Sequence, residues 1–401
     1  MKHLPGLKLT LLSMLAVFAL SGGGLATVAA WQTDLTVGDV TIKSGAGWGE
    51  GHRFPRISTS TWHTAAIAPN GDAWAWGRSN YGQLGDGTTT DRRTPVRVAG
   101  GHKLTQISAG GFHTVAIDAT GDTWAWGWNK YGQLGDGTTT ERHTPVKVTG
   151  GHKFKQIAAG YQHTVAIDTD GYAWAWGDNQ YGQLGDGTTT NRNTPVKVLG
   201  GHKFTQIAVG GLFTAALDTN DNVWAWGSNG DGQLGDGTTT NRLTPVQVSG
   251  GHRFTQIAAG GGSTFAIDTG GDTWAWGNNG NGQLGIRITI NRPLPAQVSG
   301  IRRFSQIVAG NNHTIAIDTS GNTWAWGSND YGELGDGTTT QRNTPTLVAV
   351  GHKFTQIAAA SGHTVAIDDT GNIWAWGYNN YGQLGDGTTT SRREPVKVLA
   401  Q

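Results

Sequence analysis

Trp74-Ala75-Trp76-Gly77 is the stretch whose reading decides the fold. The same Trp-Ala-Trp-Gly returns at Trp124, Trp174, Trp224, Trp274, Trp324 and Trp374, at a constant period of 50 residues with no insertion between copies. Seven copies at a fixed period mean one supersecondary unit stacked on its own likeness. The two indoles of a tetrad lie two residues apart, so on a strand they share a face, while Ala75 and Gly77 leave the other face flat. One unit's indoles can therefore lie against its neighbour's small side.

The third copy serves to read outward from the tetrad. Phe154 to Ala158 and His163 to Ile167 carry alternating apolar residues between glycines and read as two strands. Asp168-Thr169-Asp170-Gly171 is a tight turn, and Tyr172 to Trp176 is the third strand. A long loop from Asn179 to Thr190 leads to Arg192, Thr194 and Pro195, and Val196-Lys197-Val198 makes the fourth strand. Pro195 is expected at that strand's first residue, where no ladder donor is needed. Four antiparallel strands repeated seven times predict an all-β seven-bladed β-propeller over residues 52–401. The first copy opens at Phe54 without a preceding Pro-Val-x-Val strand, and Pro395-Val396-Lys397-Val398 stands at the other end. The C-terminal strand is therefore expected to complete the first blade, with Leu35 to Ile42 as the rival.

The first 30 residues break the pattern. Lys2 and Lys8 precede or flank an apolar run from Leu9 to Leu20, and Val28-Ala29-Ala30 offers small residues for cleavage, which is the layout of a secretory signal peptide. The run is shorter than the roughly 20 residues of a membrane span. Residues 31–51 form a glycine-containing lead-in. An extracytoplasmic location, in a periplasm or at a cell surface, is expected, with no stable span after cleavage. There are 65 Gly, 18 Trp and no Cys, so the domain must be held by packing alone. Removing residues 1–30 takes Lys2 and Lys8 from the 29 basic side chains and nothing from the 28 acids, which turns the formal charge from +1 to −1. No basic stripe of the kind that holds nucleic acid is visible.

Nothing in the repeats assembles a nucleophile, a base and an orienting group, so no catalytic residue and no cofactor are expected. His63, His113, His163, His313 and His363 recur at one place, where Phe213 and Ser263 stand in the other copies, and read as structural side chains rather than metal ligands. The Asp-Gly-Thr-Thr-Thr loops lack the alternating acids of a calcium loop and the Gly-Lys-Ser/Thr of a phosphate loop. Their Asp is expected to cap its own turn. Arg92 and its equivalents, present in all copies, read as struts to loop carbonyls or to that Asp.

Copies nearly identical elsewhere differ at two places that strand direction puts on one rim: the step before His-Thr, and the residue after Trp-Gly. The candidate partner-binding residues there are Trp62, Arg78, Phe112, Trp128, Tyr161, Gln162, Leu212, Asn311, Asn312 and Tyr378. Aromatic and Arg side chains on a rigid rim are the usual anchors of protein recognition. The fifth copy departs differently, with Ile286-Arg287-Ile288-Thr289-Ile290 in place of Asp-Gly-Thr-Thr-Thr. Exposed Ile286, Arg287, Ile288 and Ile290 would form an apolar, basic contact patch, or else a degenerated copy.

The order Trp-x-Trp-Gly, Asn-x-Tyr-Gly-Gln-Leu-Gly, Arg-x-Thr-Pro, Gln-Ile-x-x-Gly and His-Thr-x-x-Ile resembles the repeat of the regulator of chromosome condensation family, RCC1, across residues 52–399. The resemblance implies a propeller that binds proteins. Family members include a nucleotide exchange factor for a small GTPase, a plant ultraviolet-B photoreceptor, and secreted bacterial propellers that inhibit β-lactamases. Exchange in the family relies on a wedge inserted in the repeats, and the unbroken period leaves no place for one. Of the photoreceptor pattern of Trp and Arg before His-Thr, only a Trp is present, once, at Trp62, and no Arg precedes any of these histidines. The chain is thus expected to be a secreted, bacterial-type member: a monomeric, non-enzymatic scaffold for a protein or cell-surface ligand. An exchange-factor-like regulator, or a structural or adhesive surface protein, is the alternative.

Overall fold

The apolar alternation of each copy does set its strands. In a computed structural model that describes residues 54–300, 303–348 and 351–399, the first blade comprises Arg56–Thr59, His63–Ile67, Ala73–Gly77 and Arg92–Arg97. The pattern recurs to the seventh blade, Phe354–Ala359, His363–Asp368, Ile373–Gly377 and Arg392–Lys397. Seven four-stranded antiparallel sheets result, each built from consecutive strands of one copy. The chain is a seven-bladed β-propeller. The leader at residues 1–30, the lead-in and the Leu35 to Ile42 strand lie outside the described residues.

Two expectations need correction. The strand at Arg392–Lys397 pairs with Ile373–Gly377 of its own copy, so it completes the seventh blade and not the first. Closure is instead made by packing, with Phe54, Ile57, Ala66 and Trp76 against Val365, Ile367, Ala375, Leu384 and Val398, and by the Gly387 amide donating to the Arg93 carbonyl at 3.0 Å. The Gln356 amide adds a hydrogen bond to the Pro55 carbonyl at 2.6 Å. The fourth strand also starts earlier than expected, at Arg192, leaving Pro195 in its interior. An edge strand tolerates this because one side needs no donor, and the register slips beside it, from Ala175↔Val196 to Gly177↔Arg192.

The core is a set of seven inter-blade layers. Between the second and third blades, Val115, Ile117, Ala125, Leu134 and Val148 meet Phe154, Ile157, Ala166 and Trp176. The second Trp of each tetrad is fully buried, whereas the first is half-buried. Seven indoles therefore do the full packing work, each worth at most ~4 to 6 kcal/mol for ~150 to 250 Å² of buried surface. The first Trp has other partners. Trp174 donates its indole N–H to Asp168 at 2.8 Å and stacks on His152, with centroids 3.9 Å apart. The glycine closing the tetrad is obligatory: Gly77 has φ +104, and a Cβ there would stand 2.6 Å from the Trp62 carbonyl oxygen.

Candidate functional site

The long loop after each tetrad is built around its Asp. Asp186 accepts from the Thr188 amide at 3.0 Å and hydroxyl at 2.7 Å, while its other oxygen takes Arg192 Nε at 2.8 Å. Burial pushes the Asp186 carboxyl up, but the Thr188 and Arg192 hydrogen bonds outweigh it and hold the group below the usual carboxylate range. The same pair closes the loops at Arg92, Arg142, Arg242, Arg342 and Arg392. Arg192 and its equivalents are thus struts to the loop Asp.

Beneath the rim lies a layer of histidines. His63 Nε2 stands 2.8 Å from the Thr114 hydroxyl of the next blade, and that hydroxyl donates back to the Gln83 carbonyl at 2.9 Å. The threonine proton is thereby used, so Nε2 carries the imidazole proton. His113 and His163 repeat the contact with Thr164 and Thr214, and His313 with Thr364. His363 closes the ring on Thr59 at 2.6 Å. All five are fully buried, and burial pushes each pKa down to about 3. They are neutral connectors between blades, and the layer is interrupted at Phe213 and Ser263. The central channel encloses about 140 Å³ and is walled mainly by Ser, Thr, Ala and Gly, with no charged side chain among its described lining residues.

Above this layer the structure gathers most of the aromatic candidates into one arc. Trp62 stacks on Phe112 at 6.2 Å, and Phe112 meets Trp128 at 5.6 Å and Tyr161 at 5.5 Å. Tyr378 joins through Tyr381, which meets Trp62 edge-on at 5.5 Å. Tyr331 extends the arc from Tyr378 at 4.8 Å. The arc therefore runs from the sixth blade through the seventh, first and second to the third. Arg78 lies within it, its guanidinium 5.1 Å from the Trp62 ring and 4.7 Å from that of Tyr381.

Tyr81, Tyr131, Tyr331 and Tyr381 are arc members that the sequence reading missed. They belong to the repeated Tyr-Gly of the loop, within Asn-x-Tyr-Gly at Tyr131, Tyr331 and Tyr381, and so looked structural. The available signal was their replacement by Asp231 and Asn281 in the two blades without an arc. Gln162, Leu212, Asn311 and Asn312 lie on the same rim but make no ring contact; Asn311 donates its amide to the Ser361 hydroxyl at 2.6 Å.

The arc leaves buried donors unmet. The buried Gln183, Gln233 and Gln283 amides each donate to the residue after Trp-Gly, namely Asp178, Ser228 and Asn278. Where that residue is Trp128 or Tyr378 no such acceptor exists, and Gln133 Nε2 and Gln383 Nε2 are buried without a partner, as is Trp62 Nε1.

The fifth-copy strip is not uniformly exposed. Ile286 is half-buried against the layer of Phe304 and Trp326, which corrects the expectation of an open strip. Ile290 is 67% and Ile288 37% exposed, and Arg287 sits at φ +71 where other copies have glycine. With no Asp at position 286, Arg292 has no acidic partner among the described residues.

The sequence pattern of the RCC1-like domain matches residues 101–401, and that of the regulator of chromosome condensation (RCC1) repeat matches residues 70–117 and 56–83. Among curated proteins, the Arabidopsis thaliana ultraviolet-B receptor UVR8 is 45% identical over 49 residues, 12% of this chain and 11% of the receptor. The human E3 ubiquitin-protein ligase HERC2 is 37% identical over 59 residues, 15% of this chain and 1% of the ligase. These matches span only a small part of either relative's length. Among solved structures, yeast RCC1 (Prp20) bound to Kap60 superposes with a TM-score of 0.74 at 23% identity, covering 92% of this chain and 91% of that one. Human WBSCR16 gives 0.74 at 21% identity over 82% and 94%. Prp20p from Saccharomyces cerevisiae, described with its binding to Gsp1p and histones, gives 0.74 at 24% over 87% and 88%. At these identities the superpositions carry the fold alone, and none of these relatives bears on the expected bacterial, secreted character. Seven blades and a repeat pattern matched over three quarters of the sequence place the chain in the RCC1-like domain family.

Proposed function

We propose that this propeller is an exported, monomeric, non-enzymatic scaffold that binds a partner protein through the rim bearing the aromatic arc. The observation that carries the reading is the arc itself. The copies share their structural residues, yet the positions where they differ come together as contiguous rings around Arg78. Rigid aromatic surface flanked by one guanidinium is the composition of protein-binding hot spots. Two solved relatives of the same fold are described with protein partners, Kap60 in one case and Gsp1p and histones in the other. The small, uncharged channel walls favour binding over chemistry. A monomer is favoured by the proline in every outer strand, from Pro95 to Pro395, which blunts edge-to-edge pairing. Export rests on the leader-like first 30 residues.

The test is capture from the extracellular milieu with the purified chain beside a Trp62→Ala, Phe112→Ala, Trp128→Ala, Tyr161→Ala variant. A second variant, Lys197→Ala with Lys203→Ala, marks the opposite rim. A protein held by the native chain and the lysine variant but lost from a folded quadruple variant supports the reading. Equal capture by all three, or capture of cell-wall glycan alone, would move the assignment to a structural or adhesive role.

A further inference from the structure

The guanidinium of Arg78 is a forked cation held in place with nothing on its fork. The Arg78 backbone amide donates to the Trp62 carbonyl at 2.9 Å, and its side chain lies between the Trp62 and Tyr381 rings. Its charge is felt at the Tyr378 hydroxyl, whose pKa burial pushes up and Arg78 pulls back. Among the described residues no carboxylate or other acceptor takes the five N–H groups of Arg78, whereas the loop arginines such as Arg92 and Arg192 are each spent on an Asp. No other copy has Arg at this position.

Donors in the residues around Arg78 are unmet too. Trp62 Nε1 and Gln383 Nε2 are buried without hydrogen-bond partners, the latter because Tyr378 stands where sister blades supply an acceptor. The junction of the seventh and first blades thus concentrates donors and positive charge beside apolar rings. We propose that it is a subsite for an acidic side chain, Asp or Glu, on the partner protein, with neighbouring apolar residues of that partner lying along the arc. The planar fork of Arg78 matches a carboxylate two bonds to two. Clamping by the rings removes much of the side-chain entropy that an exposed Arg loses on binding. A second guanidinium, that of Arg93, belongs to the same junction, its side chain packed against Gly382 beside Tyr381, so phosphate is the competing anion that the third arm of the test decides.

This inference rests on the rim reading, and its test separates the two. The probes are the blocked peptides acetyl-Leu-Asp-Leu-amide and acetyl-Leu-Asn-Leu-amide, with phenyl phosphate as the third arm, titrated against the full chain by tryptophan fluorescence. The Asp peptide is expected to bind at least about tenfold tighter than its Asn twin, as a charge-assisted hydrogen-bond pair requires. Arg78→Gln should erase that difference and Arg78→Lys, which keeps the charge and loses the fork, should keep only part of it; native circular dichroism qualifies each variant. Equal binding of the two peptides, no binding of either, tighter binding of phenyl phosphate, or discrimination that survives Arg78→Gln would overturn the proposal. In the capture assay, a partner lost from the quadruple rim variant but kept by Arg78→Gln leaves the rim reading standing without this subsite. A partner kept by both removes both.

Discussion

The five buried histidines make the fold acid-labile, and the effect can be worked out. Each His is neutral and fully buried, with its pKa pushed from 6.5 to about 3 by burial and, for His63, His163 and His363, also by neighbouring histidines. Between those two values the unfolded chain holds a proton that the folded chain refuses, so stability falls as the pH falls. One pH unit below 6.5 each site contributes about 1.4 kcal/mol of lost stability, or about 7 kcal/mol for five. That is comparable to the ~5 to 15 kcal/mol that holds a typical domain. Asp178 and Glu333 act in the opposite sense, because burial raises both pKa values and the folded state gains a proton on acidification. They can offset at most two of the five, and His102, whose pKa burial also lowers, adds a smaller share in the histidine sense. Urea unfolding at a series of pH values between 7.5 and 5 should therefore show an uptake of three to five protons on unfolding, with loss of the native state near pH 5. His113→Phe, which copies Phe213 of the fourth blade, should remove one proton from that slope and so flatten it by about 1.4 kcal/mol per pH unit. A slope below two protons, or a slope unchanged in His113→Phe, would refute the neutral-connector account.

Other changes have expected outcomes of their own. Asp186→Ala leaves the Thr188 and Asn179 donors without their acceptor and should cost about 2 to 3 kcal/mol in urea unfolding; Arg192→Ala, whose side chain is 36% exposed, should cost less than about 1 kcal/mol. Arg287→Gly relieves a left-handed non-glycine residue and should raise stability by about 0.5 to 1 kcal/mol, seen as a higher urea midpoint. Deleting residues 394–401 removes Val398 from the closing layer together with its amide bond to the Ile373 carbonyl at 3.0 Å. The loss should be about 4 to 6 kcal/mol with a still cooperative thermal transition. Outright failure to fold would refute this magnitude and show that the closing layer depends on the strand more than its single buried side chain and amide bond account for.

The strands were legible because a 50-residue period repeats each alternation seven times, and the Trp-Ala-Trp-Gly face predicted how blades stack. The grouping of strands into blades was not. In a cyclic repeat every choice of starting strand yields the same internal pattern, so only the ends discriminate, and the Phe54 end was read as lacking a strand that its own copy supplies at Arg92–Arg97. Pro195 misled in a related way, since the bulge that accommodates it has no sequence signature apart from the proline. On the rim, variability located Trp62, Phe112 and Trp128, but the ring partner Tyr381 lies at the opposite end of the chain and within an invariant-looking motif. The caging of Arg78 follows from closure of the ring and could not precede it. The orphaned Gln133 and Gln383 amides likewise depend on which residue stands above each glutamine, a pairing of positions 128 with 133 and 378 with 383 that became meaningful only once the loop geometry was known.

The irregular copies are irregular in more than one layer. The fourth and fifth blades lose the histidine, at Phe213 and Ser263, and also the rim tyrosine, at Asp231 and Asn281; the fifth loses the loop Asp as well, at Ile286. The histidine follows the rim step directly in sequence, as His63 follows Trp62, so an inter-blade bond at Nε2 restrains the backbone that carries the rim side chain. Restraint is useful where a side chain must meet a partner in one orientation, because a pre-ordered anchor gives up less entropy on binding. It is dispensable where the step carries Leu212 or Gly261-Gly262 and no ring depends on it. The coincidence of an intact histidine layer with the aromatic sector, and of its interruption with the bare sector, is what a rigid support beneath a binding rim would produce. On this account His113→Phe should weaken partner capture as well as flatten the acid response, while a substitution at Ser263 should leave capture unchanged.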